Sequence, residues 1–181
     1  LIEVESINPR IADGDLHLTI RPQSLAAIVY TSGSTGEAKG VVLEHRALLH
    51  NAMRQGMVVN VDIHDRVTLL TAGTANAISL TLFTLLNGAT LFPFDVAKEG
   101  VSRLAEWLIR EKISVAIMPA PLFRRLCGSV EGEHFPDVRV LRLSSESVYK
   151  SDVELYKKHF SRECVFVNGL NHRTSPVEVR E

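Results

Sequence analysis

Tyr30-Thr31-Ser32-Gly33-Ser34-Thr35-Gly36-Glu37-Ala38-Lys39-Gly40-Val41 decides how the rest of the chain is read. Three glycines, four serine or threonine hydroxyls and one lysine lie between two runs of apolar and β-branched residues. Glycine reaches positive φ without a Cβ clash, so successive backbone N–H groups can converge on one anion, while the hydroxyls add donors and Lys39 adds charge. This is the chemistry of a polyphosphate cradle. An ordinary surface turn needs no such density of hydroxyls around one lysine. A Walker A loop needs its lysine followed by Ser or Thr at the start of a helix. Here Ala38 precedes Lys39, Gly40 follows it, and Val41-Val42-Leu43 continues as a strand, so a P-loop NTPase is disfavoured.

Outward from this loop, short apolar runs alternate with segments of helical period. The runs predict strands at Leu16–Ile20, Ala26–Thr31, Gly40–Leu43, Val67–Leu70, Thr90–Phe92, Ser114–Ile117, Val138–Leu143 and Cys164–Val167. The last is apolar throughout and reads as covered on both faces. Helices are predicted at His45–Val58, Ala75–Leu86, Val101–Glu111, Ala120–Cys127 and Asp152–Phe160. In the first of these, Leu49, Met53 and Met57 recur at i, i+4 and i+8 and define the face expected to be buried; Leu104, Ala105, Leu108 and Ile109 do the same in the third. Ser151 and Glu154 read as a capping box for the last helix. The alternation predicts an α/β fold, a mostly parallel sheet with helices on its faces.

The composition narrows the functions available. The 181 residues, 45% of them hydrophobic, suffice for one globular domain. Twenty Lys and Arg against 21 Asp and Glu give a net charge of −1, and no run of five or six like charges occurs, which disfavours nucleic acid or a charged membrane surface as a partner. Cys127 and Cys164 lie 37 positions apart among apolar neighbours, with neither disulfide-framework nor metal-ligand spacing, so a reducing, cytoplasmic setting and no metal site are expected. No apolar run reaches 18 residues and no signal peptide is read at the start. The first residue is Leu1 rather than Met, as in a piece of something longer.

The ordered string Tyr-Thr-Ser-Gly-Ser-Thr-Gly-x-x-Lys-Gly-Val resembles the phosphate-binding signature of the adenylate-forming superfamily, which includes acyl-CoA synthetases and the adenylation domains of nonribosomal peptide synthetases. Similar segments follow at His45-Arg46, Leu86-Asn87-Gly88-Ala89-Thr90, Val115 to Pro121, and Val138-Arg139-Val140-Leu141-Arg142. The resemblance implies a partial N-terminal domain of such an enzyme over residues 1–168. It implies ATP with Mg²⁺ as cofactors, a carboxylic acid as substrate, and CoA or a phosphopantetheine carrier protein as acceptor. Thr31, Ser32, Gly33, Ser34, Thr35, Gly36 and Lys39 would hold the phosphates. Ser145 and Glu146 would line the adenine site, and Asn168 and Gly169 would also bind the cofactor. No catalytic residue is assigned, because the family's ribose-binding Asp, hinge and C-terminal lid lie further along than this chain extends, and the piece is expected to be inactive alone.

Three departures matter. Thr74 and Ala75 stand where relatives that activate amino acids carry an Asp for the α-amine, which points to an acid without an α-amino group; Asn76 offers only a weaker contact. Ser144-Ser145-Glu146 replaces the family's Gly-Gly-Glu. Beyond Asn168, the family's Thr and Glu contacts to the α-phosphate and Mg²⁺ are missing. Residues 169–181, Gly-Leu-Asn-His-Arg-Thr-Ser-Pro-Val-Glu-Val-Arg-Glu, resemble instead the opening of glutamyl-tRNA reductase. Two other readings follow: a non-catalytic nucleotide-binding or interaction fragment, and the start of a glutamyl-tRNA reductase behind an unrelated extension. The second would need NADPH and tRNA. No Gly-x-Gly-x-x-Gly loop or basic patch supports it.

Overall fold

The computed structural model describes residues 17–32, 38–70, 75–132, 135–144 and 146–169. Two sheets form among them. Strands β1 (Leu25–Ser32) and β2 (Ala38–Glu44) make an antiparallel hairpin, with Thr31 opposite Lys39 and Ser32 opposite Ala38. Helix α1 (His45–Val59) follows directly, and the Ser24 and Pro22 carbonyls accept from the backbone N–H groups of His45 and Arg46, so the hairpin base and the helix start are tied together.

The second sheet has five strands: β3 (Arg66–Leu69), β4 (Thr90–Pro93), β5 (Val115–Pro119), β6 (Val140–Ser144) and β7 (Val165–Gly169). Their order is β4-β3-β5-β6-β7, and every pairing is parallel. Between them run α2 (Ala75–Leu86), the single turn α3 (Val96–Glu99), α4 (Val101–Arg110), α5 (Ala120–Gly128) and α6 (Lys150–His159). The period-2 alternation of β5 and β6 divides the core. Val115 and Val140 join Ala52, Val59, Leu80 and Phe83 of α1 and α2 on one face, whereas Ala116, Leu141 and Leu143 join Leu104, Leu108, Phe123, Leu126 and Phe160 on the other. Both faces are covered by helices, as the strand–helix alternation requires.

Several local expectations are corrected. Residues 17–20 are exposed and carry no strand, while Leu16 lies outside the described residues. In α1, Leu49, Met53 and Met57 are exposed (44%, 57% and 76%), and the buried face is Leu48, Ala52, Gly56 and Val59. Close helix approach explains the swap: a Cβ at Gly56 would lie 2.7 Å from the Asn87 amide, so small residues must face α2 and its following turn. In α4, Ile109 is partly exposed while Trp107 is buried. Helix α3 was not anticipated; Asp95 caps it by accepting from the Ala97 and Lys98 amides. The α6 cap is not Ser151, which is already helical: Asp152 accepts from the Tyr149 backbone N–H at 2.8 Å. Finally, β7 is an edge strand with Val165 56% exposed, so it is not covered on both faces.

Candidate functional site

In open parallel sheets, ligands gather beyond the carboxyl ends of the strands. Here Pro119, Ser144 and Gly169 sit side by side in register at those ends of β5, β6 and β7, and α5 starts immediately after Pro119. Thr68 helps to hold the level: its hydroxyl accepts from the Ile117 N–H at 2.8 Å and donates to the Ile117 carbonyl at 3.1 Å, bridging β3 to β5 by a side chain.

The sequence-predicted residues fall in two places. Thr31, Ser32 and Lys39 lie on β1 and β2 at the loop end of the hairpin, with Thr31 paired to Lys39 and Ser32 to Ala38. Gly33, Ser34, Thr35, Gly36 and Ser145 are outside the described residues. Glu146, Asn168 and Gly169 lie at the ends of β6 and β7, Asn168 and Gly169 as the last residues of the edge strand. Glu146 is more than half exposed and faces Arg124 of α5, 3.8 Å away.

Two arginines that motif reading passed over organise this end of the sheet. Arg124 donates to both Asp152 carboxylate oxygens (2.8 and 2.9 Å) and to the Ser147 carbonyl (2.9 Å), and its guanidinium lies over the Tyr149 ring. It therefore fixes residues 146–149 against α5 and α6. The Asp152 carboxylate is inaccessible; these bonds hold its pKa below the usual range, although burial alone would raise it.

Arg142 lies in the middle of β6. Its Nη1 donates to Gln55 Oε1 of α1 at 2.8 Å, and its Nε is sealed from solvent with no hydrogen-bond partner among the described residues. Burial, then the neighbouring Arg54 charge, push its pKa down. A charged residue inside Val140-Leu141-Arg142-Leu143 was the signal available in the sequence, since an apolar strand run has no ordinary use for one.

At the opposite end of the sheet, Asp65 gathers Arg139, Ser114 and the Asp62 amide. Arg139 Nε donates to Asp65 Oδ1 at 2.8 Å and its Nη2 pairs with Oδ2, while Ser114 Oγ donates to Oδ1 at 2.6 Å. Burial raises the Asp65 pKa, but these donors outweigh it and leave it lowered. Among the described residues no three His, Cys, Asp or Glu side chains come together as a metal site. Cys127 and Cys164 are free and buried, and burial pushes their thiols up to about 12 and about 11.

Comparison with protein families matches residues 4–170 to the AMP-binding enzymes. This chain belongs to that family. Nonribosomal peptide synthetase vlms of Lecanicillium sp. is 34% identical over 152 residues, 83% of this chain and 2% of that protein. The N-terminal subdomain of Klebsiella oxytoca NpsA, solved with 3-hydroxybenzoyl-AMSN, superposes with a TM-score of 0.71 at 18% identity, covering 87% of this chain and 39% of that one. The AMPPNP-bound form of the nonribosomal peptide synthetase FmoA3 gives a TM-score of 0.68 at 20% identity over 80% of this chain and 16% of that one. The AMP-binding chain thus spans a small part of its relatives' length, and its fold is like that of the NpsA N-terminal subdomain. Among its described residues no helix is long and apolar enough to cross a membrane.

Proposed function

We propose that this chain is the nucleotide-binding part of an ATP-dependent carboxylate-activating ligase. The observation that supports the reading is the match of residues 4–170 to the AMP-binding enzymes, with the β1–β2 hairpin making Thr31 and Lys39 register partners. Lys39 and the hydroxyls of Thr31, Ser32, Ser34 and Thr35 would neutralise and orient the β- and γ-phosphates, which is most of what such chemistry asks of a protein. A substrate carboxylate oxygen attacks the α-phosphorus, the bond to the bridging oxygen breaks, and pyrophosphate leaves. The thiol of CoA or of a carrier protein then attacks the acyl carbon and AMP departs. These residues would supply binding and positioning. Mg²⁺ would accompany the phosphates as counter-ion. The FmoA3 and NpsA structures, with AMPPNP and an acyl-AMSN respectively, support a nucleotide beside an acid group.

Lys39→Ala tests the reading. A charge-assisted contact contributes about 1.5–3 kcal/mol. Its loss should therefore weaken ATP binding about tenfold or more in calorimetric titration. Equal affinity of wild type and variant would remove the loop from the mechanism.

A further inference from the structure

Beyond β4 the chain turns at Asp95 into α3, and Gly100, at a φ of 86°, turns it again into α4. A groove of about 490 Å³ is lined from both helices. That volume lies within the range of small-molecule sites, about 300–1,000 Å³. Arg103, Glu106, Trp107 and Arg110 stand at i, i+3, i+4 and i+7 of α4, so one stripe of the helix faces the groove. Asp95, Lys98 and Glu99 line it from α3 and its cap.

Several of these charges are spent within the fold. The Asp95 carboxylate accepts from the Ala97 and Lys98 amides, Glu99 pairs with Arg103 at 2.7 Å, and Arg110 gives its Nε to Glu111 at 3.0 Å. The Lys98 and Glu106 side chains are exposed and pair with nothing among the described residues. Trp107 adds a sharper observation. It is only 6% exposed, and its ring packs against Phe94 with centroids 4.9 Å apart. Its indole Nε1–H nevertheless has no hydrogen-bond partner among the described residues and is not sealed from solvent. A buried tryptophan normally finds an acceptor for this group.

We propose that the groove between α3 and α4 binds a small zwitterion, a free amino acid with a polar side chain. Its carboxylate accepts from the Trp107 indole N–H and is neutralised by Lys98 and the Nη groups of Arg110. Its ammonium pairs with Glu106, the residue next to Trp107 in α4. Two cations and a neutral donor beside one uncommitted carboxylate call for a ligand that carries both signs: a plain anion would face Glu106 unanswered, and a plain cation would face Lys98 and Arg110. The charged lining suits a polar side chain rather than an apolar one. The proposal does not rest on the carboxylate-activating reading above.

Trp107 is the only tryptophan of the 181-residue chain, so tryptophan emission reads this groove directly. Serine is titrated into the chain up to about 10 mM at constant ionic strength. Two half-ligands serve as separate arms: N-acetylserine keeps the carboxylate without the ammonium, and serinamide keeps the ammonium without the carboxylate. The expected result is a saturable emission change with serine, and binding about tenfold weaker for each half-ligand. E106Q should bring serine down to the affinity of N-acetylserine without weakening N-acetylserine itself, whereas K98M should weaken both. Both side chains are exposed, so the variants keep the fold, which far-ultraviolet circular dichroism checks. Four results would each overturn the proposal: no saturable emission change with serine, calorimetric heat from serine without such a change, equal binding of the three compounds, or serine binding that neither variant alters.

Discussion

Arg139 and Arg142 stand three residues apart at the start and middle of one strand segment, yet they meet opposite surroundings. Arg139 is closed in by acceptors: both oxygens of Asp65, plus the Val59 and Asn60 carbonyls at the end of α1, which as a helix C-terminus favours a cation. Among the described residues, Arg142 meets one neutral amide and a second arginine. The amino ends of the strands are thus an internally satisfied clamp joining β3, β5 and β6 through Asp65, Ser114 and Arg139. The carboxyl-end side holds a charge the fold itself does not answer. Among the described residues, the buried charge of one end is paired and that of the other is not.

The sharpest way to break this contrast is to remove each guanidinium in turn. Loss of one partner from a fully buried pair costs about 3–5 kcal/mol. Arg139 is 38% exposed while Asp65 is nearly inaccessible, so solvent screening brings the expected cost of R139M to about 2 kcal/mol. For a chain of this size that lowers Tm by about 4–8 °C. R142M relieves a cation beside Arg54 and leaves no buried carboxylate behind, so its Tm should equal or exceed wild type. Thermal melts by circular dichroism showing the same fall for both variants would erase the distinction between the two ends.

Acid titration sharpens the same contrast. Asp65 and Asp152 both have folded pKa values held below the unfolded value of about 3.9. The unfolded chain therefore binds protons first as pH falls. The stability from these two carboxylates is complete above about pH 4–5 and disappears as pH drops through their folded values. Tm should hold between pH 7 and 5 and then fall steeply, with D65N shallower than wild type below pH 4. R142M should leave the slope unaltered, because no carboxylate depends on Arg142. An acid limb that D65N does not change would show that the clamp is not what acid removes.

How far the residue pattern reached can be judged element by element. Strand–helix alternation carried the parallel sheet, and the free buried cysteines followed from their apolar neighbours. The α1 face was misread because the largest apolar residues, Leu49, Met53 and Met57, outshout Ala52 and Gly56, and only the tertiary approach of Asn87 makes small residues the buried ones. Motif position named Glu146 and Gly169, which lie at the ends of β6 and β7, but not Arg124, which fixes the Glu146 loop: its partner Asp152 is 28 positions away, and only the packing of α5 against α6 joins them. Arg142 was visible as a charge within an apolar strand, while its lack of an acid partner emerges only once α1 and α2 are laid over it. Periodicity reports which face a residue takes; it does not report which charges other elements bring there.

The smallest expected effect comes from Gly169→Ala, and it probes Arg142 without touching its charge. Gly169 ends β7 without a left-handed φ, so alanine meets no backbone strain there. The added Cβ would stand 2.7 Å from Arg142 Nε and 3.1 Å from the Leu143 carbonyl oxygen. The first contact is with a long side chain that can yield, and the second needs a shift of only a few tenths of an ångström, so overpacking should sit near the low end of its usual range, about 1 kcal/mol. Against this, replacing glycine by alanine at a compatible position stabilises by about 0.4–1 kcal/mol through the unfolded chain. The two nearly cancel, and Tm should move by no more than about 3 °C. What should change is the guanidinium: its Nε–H resonance should move, which a ¹H–¹⁵N spectrum of the ligand-free protein checks. An unmoved resonance would mean that the space beside Gly169 has no part in placing Arg142, and the contrast between the two ends of the sheet would then rest on Gln55 and Arg54 alone.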